Sequence, residues 1–150
     1  MDDAEQLSQD LVATIPFVER SGLRVLVAER GRAVCLLPFE GNVNHLGTVY
    51  AGALVTLAEF PGGAVTVSTF EGARVVPLVK GIDVRFRRPA RSDVTVEVRL
   101  HDDEVERLER EVEADGKADF TLVAELVDDG GTVVATSTAD YQLRAVRPAA

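Results

Sequence analysis

The hydrophobic positions of the chain follow helical spacing in two segments of its first half. In Asp3–Ile15 the apolar residues recur at helical steps, which predicts an amphipathic helix that Pro16 ends. From Val49 to about Val67 they recur at steps of three, four and seven, with few polar residues between them. This second helix should therefore be buried on most sides, and Pro61 with the Gly62-Gly63 pair should bend or loosen its second half.

Most of the remaining chain has the pattern of β-strands. A third helix, Asp102–Val112, carries one apolar stripe, and Arg30-Gly31-Arg32 and Asp128–Gly131 are typical of turns between strands. This order is not the strand–helix alternation of a doubly wound nucleotide-binding fold. We expect an α+β domain in which a mostly antiparallel sheet curls around the central helix. The six predicted strands are Leu23–Glu29, Ala33–Pro38, Val75–Phe86, Val94–Leu100, Ala118–Val127 and Val133–Leu143.

Composition and charge narrow the possible functions. The 150 residues are 46% apolar and show no linker or repeat, which predicts one domain over residues 1–150. A net charge of -9 argues against binding to nucleic acid or an anionic membrane. The single cysteine, Cys35, excludes an internal disulfide, and we expect it to be a buried apolar residue. An acidic amino terminus and the lack of a long uninterrupted apolar run favour a soluble, cytoplasmic protein. Because the chain has one cysteine and only two histidines, we expect no metal site.

One segment carries candidate chemistry. In NVNHLGTVYAGALVTLAEFPGG, Asn42 to Gly63, an asparagine is followed after seven residues by the start of the central helix, and an acid follows eight residues later. These positions are Asn44, Ala51 and Glu59. The segment resembles the hotdog-fold acyl-CoA thioesterases of the PaaI-like and YiiD C-terminal-like (DUF4442-type) group, which usually have glycine at the position of Ala51. The segment VKGIDVRFRRPAR, residues 79–91, resembles the third strand and following turn of the same group.

The resemblance implies a fold, a reaction and a set of roles. The fold would be a hotdog, a curved antiparallel sheet wrapped around a long central helix, with a short N-terminal helix. The reaction would be hydrolysis of an acyl-CoA or related thioester to free acid and thiol, with coenzyme A present only as part of the substrate and no other cofactor. Backbone N–H groups of Ala51 and Gly52 would hold the developing oxyanion at the helix amino terminus. Glu59 would be general base or nucleophile, and Asn44 would direct its amide at the water or the thioester oxygen.

These roles require a second copy of the chain. Eight helical residues put Glu59 roughly 12 Å from Ala51, too far for both to act on one carbonyl carbon. Glu59 of one subunit would therefore meet the Ala51 amide of another. We expect a homodimer or homotetramer whose remaining partner is a small-molecule acyl thioester.

A basic cluster follows the third predicted strand. Arg87, Arg88 and Arg91 are candidates for contacts with the phosphates of coenzyme A, because arginine binds phosphate in bidentate fashion. Strand alternation would place Arg85 and Arg87 on one face and Arg88 on the other. The same cluster could instead be a solvated strand face that balances nearby acids.

Further candidates surround the proposed site. His45 is either a loop residue or a substrate contact, and Tyr50 and Phe60 either line an acyl pocket or pack in the core. Many relatives have Ser or Thr on the third strand where this chain has Val79. Lys80 beside it could contact Glu59 or substrate.

Two alternatives remain for the function. Glu59 could form a structural ion pair with Lys80 or an arginine, since a buried carboxylate needs a partner. The fold could then serve a non-catalytic module that binds acyl-CoA or an acyl lipid. An enoyl hydratase of the same architecture would need an Asp and a His close together near the central helix, and the sequence lacks that pair there.

Overall fold

The computed structural model of the protein describes residues 2–70 and 74–146. Helices and strands alternate irregularly along them. In chain order they are α1 (Asp3–Ala13), α2 (Pro16–Ser21), β1 (Arg24–Glu29), β2 (Arg32–Leu37), α3 (Ala51–Glu59), α4 (Pro61–Thr69), β3 (Val75–Phe86), β4 (Val94–Arg99), α5 (Asp102–Asp115), β5 (Lys117–Asp128) and β6 (Val133–Ala145).

The strands form one antiparallel sheet in the order β1-β2-β4-β5-β6-β3. Strands β1 and β3 are its edges, and α3 and α4 contact strands from both halves of the sheet. The sheet therefore curls around the central helices, as the sequence pattern predicts. The predicted hairpins are confirmed, with Glu29 paired to Arg32 and the last turn held by Asp128, whose Oδ1 accepts N–H groups of Gly130 and Thr132.

Alternating strand residues supply the core. In β5 every second residue is buried, from Ala118 to Leu126, and these side chains lie on the face that the central helices cover. The central helices contribute buried Leu57 and Val65. Cys35 is fully buried in β2, as predicted, and burial raises the pKa of its thiol to about 12.

The central helix is interrupted at one residue. Pro61 has no N–H, so α3 ends at Glu59 and α4 begins at Pro61, although Phe60 keeps helical φ and ψ of -59° and -38°. The N–H of Gly63 bonds the carbonyl of Phe60 at 3.1 Å. The carbonyl of Glu59 accepts a hydrogen bond from the Tyr141 hydroxyl, at 2.7 Å. The structure thus interrupts the central helix at the position where Pro61 predicts a disturbance, and Glu59 lies directly before the interruption.

The first helix is shorter than the sequence predicts. It ends at Ala13, and Pro16 begins a second helix, α2. Proline is tolerated at the first position of a helix, because the N–H that it lacks would have no acceptor within the helix there. Ile15 before it is extended, with φ -126° and ψ 100°, as a residue preceding proline favours. The third predicted helix, α5, continues to Asp115.

The segment Ala51–Thr69 is long and apolar enough, by length and composition alone, to cross a membrane. In the structure it is the pair α3–α4, packed against the sheet and 56% buried. Its apolar character is therefore explained by its position in the core of the domain.

Candidate active site

Two cavities lie at opposite ends of α3. The first, of about 310 Å³, surrounds the amino end of the helix and is lined by Asn44, Ala51, Arg87 and Arg88 among others; we call it the helix-start cavity. The second, of about 240 Å³, contains Glu59 at the other end and is called the Glu59 cavity. The two share no lining residue. One copy of the chain therefore keeps its proposed acid and its proposed oxyanion donors apart.

The loop before α3 fixes the helix start. Val49 donates its N–H to the carbonyl of Ala90 at 2.9 Å, and Tyr50 donates to Asn42 at 2.8 Å. The next two N–H groups, of Ala51 and Gly52, have no acceptor among residues 2–70 and 74–146. No side chain caps the helix and its first turn has no acid, so these donors and the helix dipole are left for an anion.

Asn44 lines the helix-start cavity and also organises its loop. Its Oδ1 accepts N–H groups from Leu46 at 2.9 Å and from Thr48 at 3.1 Å. Its Nδ2 donates to the Thr48 hydroxyl at 3.0 Å. The loop-holding interpretation of Asn44 thus has direct structural support, and the residue still faces the cavity.

Strand alternation does not predict correctly which arginines of the cluster lie together. Strand β3 ends at Phe86, and the N–H groups of Arg87 and Arg88 both bond the carbonyl of Val134, at 2.8 and 3.2 Å. Since the extended pairing stops there, both side chains line the helix-start cavity. Arg85 pairs with Asp83 at 3.0 Å instead. Exposed Arg91 lines neither cavity.

The other predicted contacts are more scattered. His45 is exposed and lines neither cavity. Tyr50 is 58% exposed, so a core role for it is wrong; its ring covers Gly52, where an added Cβ would lie 2.5 Å from the ring. Phe60 is buried, as its interpretation as a core residue predicts, and it also lines the Glu59 cavity. Lys80 bonds Asp119 at 3.2 Å outside the Glu59 cavity.

Glu59 has no ionic partner in the part of the chain that the structure describes, and no side chain there donates a hydrogen bond to its carboxylate. The interpretation as an ion pair with Lys80 or an arginine is therefore wrong within the described residues. The carboxylate is half-buried, and that burial raises its pKa above the ordinary value. Val79 lines the same cavity, so β3 presents an apolar side chain to the acid.

Tyr141 also belongs to the candidate site, although the sequence analysis did not select it. Its hydroxyl holds the carbonyl of Glu59, and its ring stacks on Phe120 with centroids 5.2 Å apart. Burial and the nearby charge of Glu59 both raise the pKa of Tyr141. Gly62 makes this position available, since a Cβ there would lie 2.2 Å from the tyrosine ring. The available signal was its inward position in the alternating pattern of β6.

The amino-terminal helix also reaches the acid. Leu11, Thr14 and Ile15, from the end of α1 and the residues after it, line the Glu59 cavity. Sequence reasoning assigned no role to them. No group of three or more His, Cys, Asp or Glu residues that could hold a metal occurs in residues 2–70 and 74–146.

The chain resembles proteins of known structure over almost its whole length. A Pseudomonas aeruginosa protein, described as a protein of unknown function and probable thioesterase, is 47% identical, with 95% of each chain covered and a TM-score of 0.88. A thioesterase from Haemophilus influenzae is 15% identical, with 99% of this chain and 94% of that one covered and a TM-score of 0.75. A Shewanella oneidensis protein is 24% identical, with 97% of this chain and 100% of that one covered and a TM-score of 0.79. The last two likenesses concern the fold alone.

No protein with a curated description matches the chain. Residues 3–143 match the model of a family described as a domain of unknown function, DUF4442. The fold is that of the thioesterase hotdog proteins, as the resemblance in sequence implied. The chain therefore belongs to the DUF4442 family, within the hotdog-fold thioesterase group.

Proposed function

We propose that this protein hydrolyses an acyl-CoA or a related acyl thioester to the free acid and the thiol. The observation that carries the proposal is the division of the site. Free helix N–H groups and two arginines lie at one end of α3, and an unpaired acid of raised pKa lies at the other. Each half supplies what the other lacks for acyl transfer.

A dimer would join the two halves. Strand β3 pairs with β6 on one side and has no strand partner on the other among residues 2–70 and 74–146. Along this edge Val76, Leu78 and Val79 are more than two-fifths exposed. A long apolar edge strand favours pairing with another chain. Two copies joined antiparallel at β3 would bring the Glu59 end of one α3 towards the Ala51 end of the other. A tetramer would be two such pairs.

The helix-start cavity would hold the carbonyl oxygen and the coenzyme. The N–H groups of Ala51 and Gly52 would stabilise the charge that develops on the thioester oxygen, helped by the helix dipole. Arg87 and Arg88 would bind the phosphates of coenzyme A. The rest of the chain is acidic and would repel these phosphates. Asn44 would hold the loop and offer its remaining amide hydrogen to the substrate.

The remaining candidate residues line neither cavity, so they would contact the substrate only from outside. Tyr50, exposed beside the helix start, would cover the pantetheine arm of the substrate. His45, Lys80 and Arg91 would reach substrate only at the outer rim or through the second copy.

Glu59 would either activate a water molecule or attack the thioester carbonyl itself. As general base it would take a proton from water as the water oxygen bonds the carbonyl carbon, and the C–S bond would then break to release the thiolate, which takes up a proton. As nucleophile it would form a mixed anhydride with loss of the thiolate, and water would cleave that anhydride to the acid. Its raised pKa makes the carboxylate a stronger base for either route.

The test is a steady-state assay of the purified chain against acyl-CoA esters, with Glu59→Gln and a matched control. Glu113→Gln changes an equally sized acid on the exposed face of α5. We expect Glu59→Gln to lower kcat by at least 100-fold and Glu113→Gln to leave it unchanged. Equal activity of wild type and Glu59→Gln would remove Glu59 from the reaction.

A second candidate is an acyl-CoA binding module without turnover. Two features favour it: Ala51 where the group usually has glycine, and apolar Val79 where many relatives have a hydroxyl. Calorimetry that finds tight acyl-CoA binding, together with no thiol release, would select this function over hydrolysis.

A further inference from the structure

The Glu59 cavity is bounded by four parts of the fold. Phe60, Ala64 and Val67 of the central helices form one side. Strand β3 contributes Pro77 and Val79, β6 contributes Tyr141, and the end of α1 forms a further side. Among the described residues that line the cavity there is no Lys, Arg or His, and Glu59 is the one carboxylate. An acyl group in this space would meet hydrocarbon on most sides.

Packing against the sheet fixes α1 in this place. Val12 is buried in the core, and the hydroxyl of Ser8 accepts the N–H of Val25 at 2.8 Å. Leu11, in the last turn of α1, and Ile15, two residues after the end of the helix, both line the cavity. This side of the cavity is therefore anchored to the folded core through α1.

Gly63 leaves space on the opposite side. A Cβ built at Gly63 meets no atom within 4 Å, although the residue lines the cavity. Glycine inside a helix is about 1 kcal/mol less favourable than alanine. The adjacent Gly62 is explained by the ring of Tyr141, which a side chain would strike. No contact with residues 2–70 or 74–146 explains Gly63, and its missing side chain enlarges the cavity beside Glu59.

We infer that the Glu59 cavity is the acyl chamber, that it takes compact uncharged apolar acyl groups, and that Leu11 and Gly63 set the length it accepts. This inference rests on the proposed function. A volume of about 240 Å³ exceeds the ~150 Å³ of a cavity that binds benzene. The cavity is therefore large enough for one aromatic ring with its linker, or for a linear chain of similar volume.

Electrostatics excludes another class of acyl group. A second carboxylate on the acyl chain would be desolvated beside Glu59 with no cation in the lining. Acyl groups that end in a carboxylate should therefore be rejected, whatever their length.

The experiment measures binding separately from hydrolysis. The whole protein is titrated by calorimetry with thioether analogues of coenzyme A, S-alkyl chains of increasing length that cannot be hydrolysed. We expect the affinity to rise about fourfold for each added methylene and to level off once the chain fills the cavity. A terminal carboxylate on the longest well-bound chain should weaken binding at least tenfold.

Three variants locate the boundary. Gly63→Val should make the affinity level off at a shorter chain, and Leu11→Ala should extend the rise to longer chains. Leu7→Ala is the matched control, because Leu7 lies one turn earlier on α1 against β1, outside the Glu59 cavity. It should leave the length dependence unchanged. Sedimentation of each variant shows whether its assembly is that of the wild type.

The outcomes separate this inference from the proposed function. Affinity that does not depend on alkyl length, or a length limit that neither Gly63→Val nor Leu11→Ala moves, would overturn the acyl chamber even if the protein hydrolyses thioesters. A length limit that moves as expected in a protein without turnover would support the chamber and contradict hydrolysis. Loss of assembly in Gly63→Val with an unchanged limit would assign Gly63 to a subunit contact and overturn its role here.

Discussion

The hydroxyl of Tyr141 donates a 2.7 Å hydrogen bond to the backbone carbonyl of Glu59, 82 residues away in sequence. The bond forms at the break that Pro61 makes in the central helix, where that carbonyl accepts from a side chain. The last strand thereby fixes the residue that carries the proposed catalytic acid.

Tyr141→Phe tests this bond. Removal of the hydroxyl leaves a largely buried carbonyl without its donor, which should lower the free energy of unfolding by about 1–3 kcal/mol. Because Glu59 would also be less well positioned, kcat should fall more than KM changes. Denaturant unfolding and steady-state kinetics measure the two effects. A loss of stability with unchanged kcat would limit Tyr141 to a structural role.

Gly62 and Gly63 form a natural pair of test and control. Gly62→Ala would drive a methyl into the Tyr141 ring and should destabilise the fold by about 1–3 kcal/mol. Gly63→Ala meets open space and should be neutral or stabilising by up to about 1 kcal/mol. Thermal unfolding of both variants provides the comparison, and equal effects would show that the tyrosine does not restrict Gly62.

Stability should depend on pH through Glu59. Burial raises the pKa of Glu59 in the folded chain, so the folded state favours the protonated form. The stability from this group is fully present below the unfolded pKa and is lost as pH rises through the folded pKa. Glu59→Gln should therefore be more stable than wild type at neutral pH, with the gain shrinking near about pH 4. Urea unfolding at both pH values, with Glu113→Gln beside it, measures this; a gain independent of pH would contradict it.

The shared site can be tested by complementation between two inactive variants. Ala51→Pro removes the N–H at the first helical position, where proline is well tolerated, and Tyr50 already has the extended conformation that precedes proline. Mixed with Glu59→Gln, it forms heterodimers with one intact site. We expect refolding of equal amounts together to restore about a quarter of wild-type activity. Activity that stays at the level of the separate variants would mean that the two halves do not meet across subunits.

The arginines of the helix-start cavity should act on the coenzyme alone. Arg87→Ala and Arg88→Ala should raise KM for acyl-CoA about 10-fold or more and reduce its dependence on salt, because each removes a phosphate contact. KM for the same acyl group on a short phosphate-free thiol should not change. Arg85→Ala, which breaks only the pair with Asp83, is the control. Equal losses on both thiols would place the arginines at the acyl group.

Local chemistry made parts of the fold predictable. The apolar residues alternate along β5 and recur at helical steps in Ala51–Thr69. These two periods show which face of each element is buried, so the strands and the central helix can be predicted from them. Pro16 was harder to interpret, because a proline can end one helix or begin the next one. Whether a second helix follows the proline depends on packing.

The sequence by itself determined the central helix with a weak point at Pro61, the order of helices and strands along an α+β domain, and the candidate residues Asn44, Ala51 and Glu59. Only the tertiary structure decided which side chains surround them. It turned Lys80 towards Asp119, left Glu59 unpaired among the described residues, and brought Tyr141 and the end of α1 to its side. These contacts join residues from α1, the central helix, β3 and β6, and their geometry depends on how the sheet curls. Periodicity records burial along one element and carries no information on distances between elements.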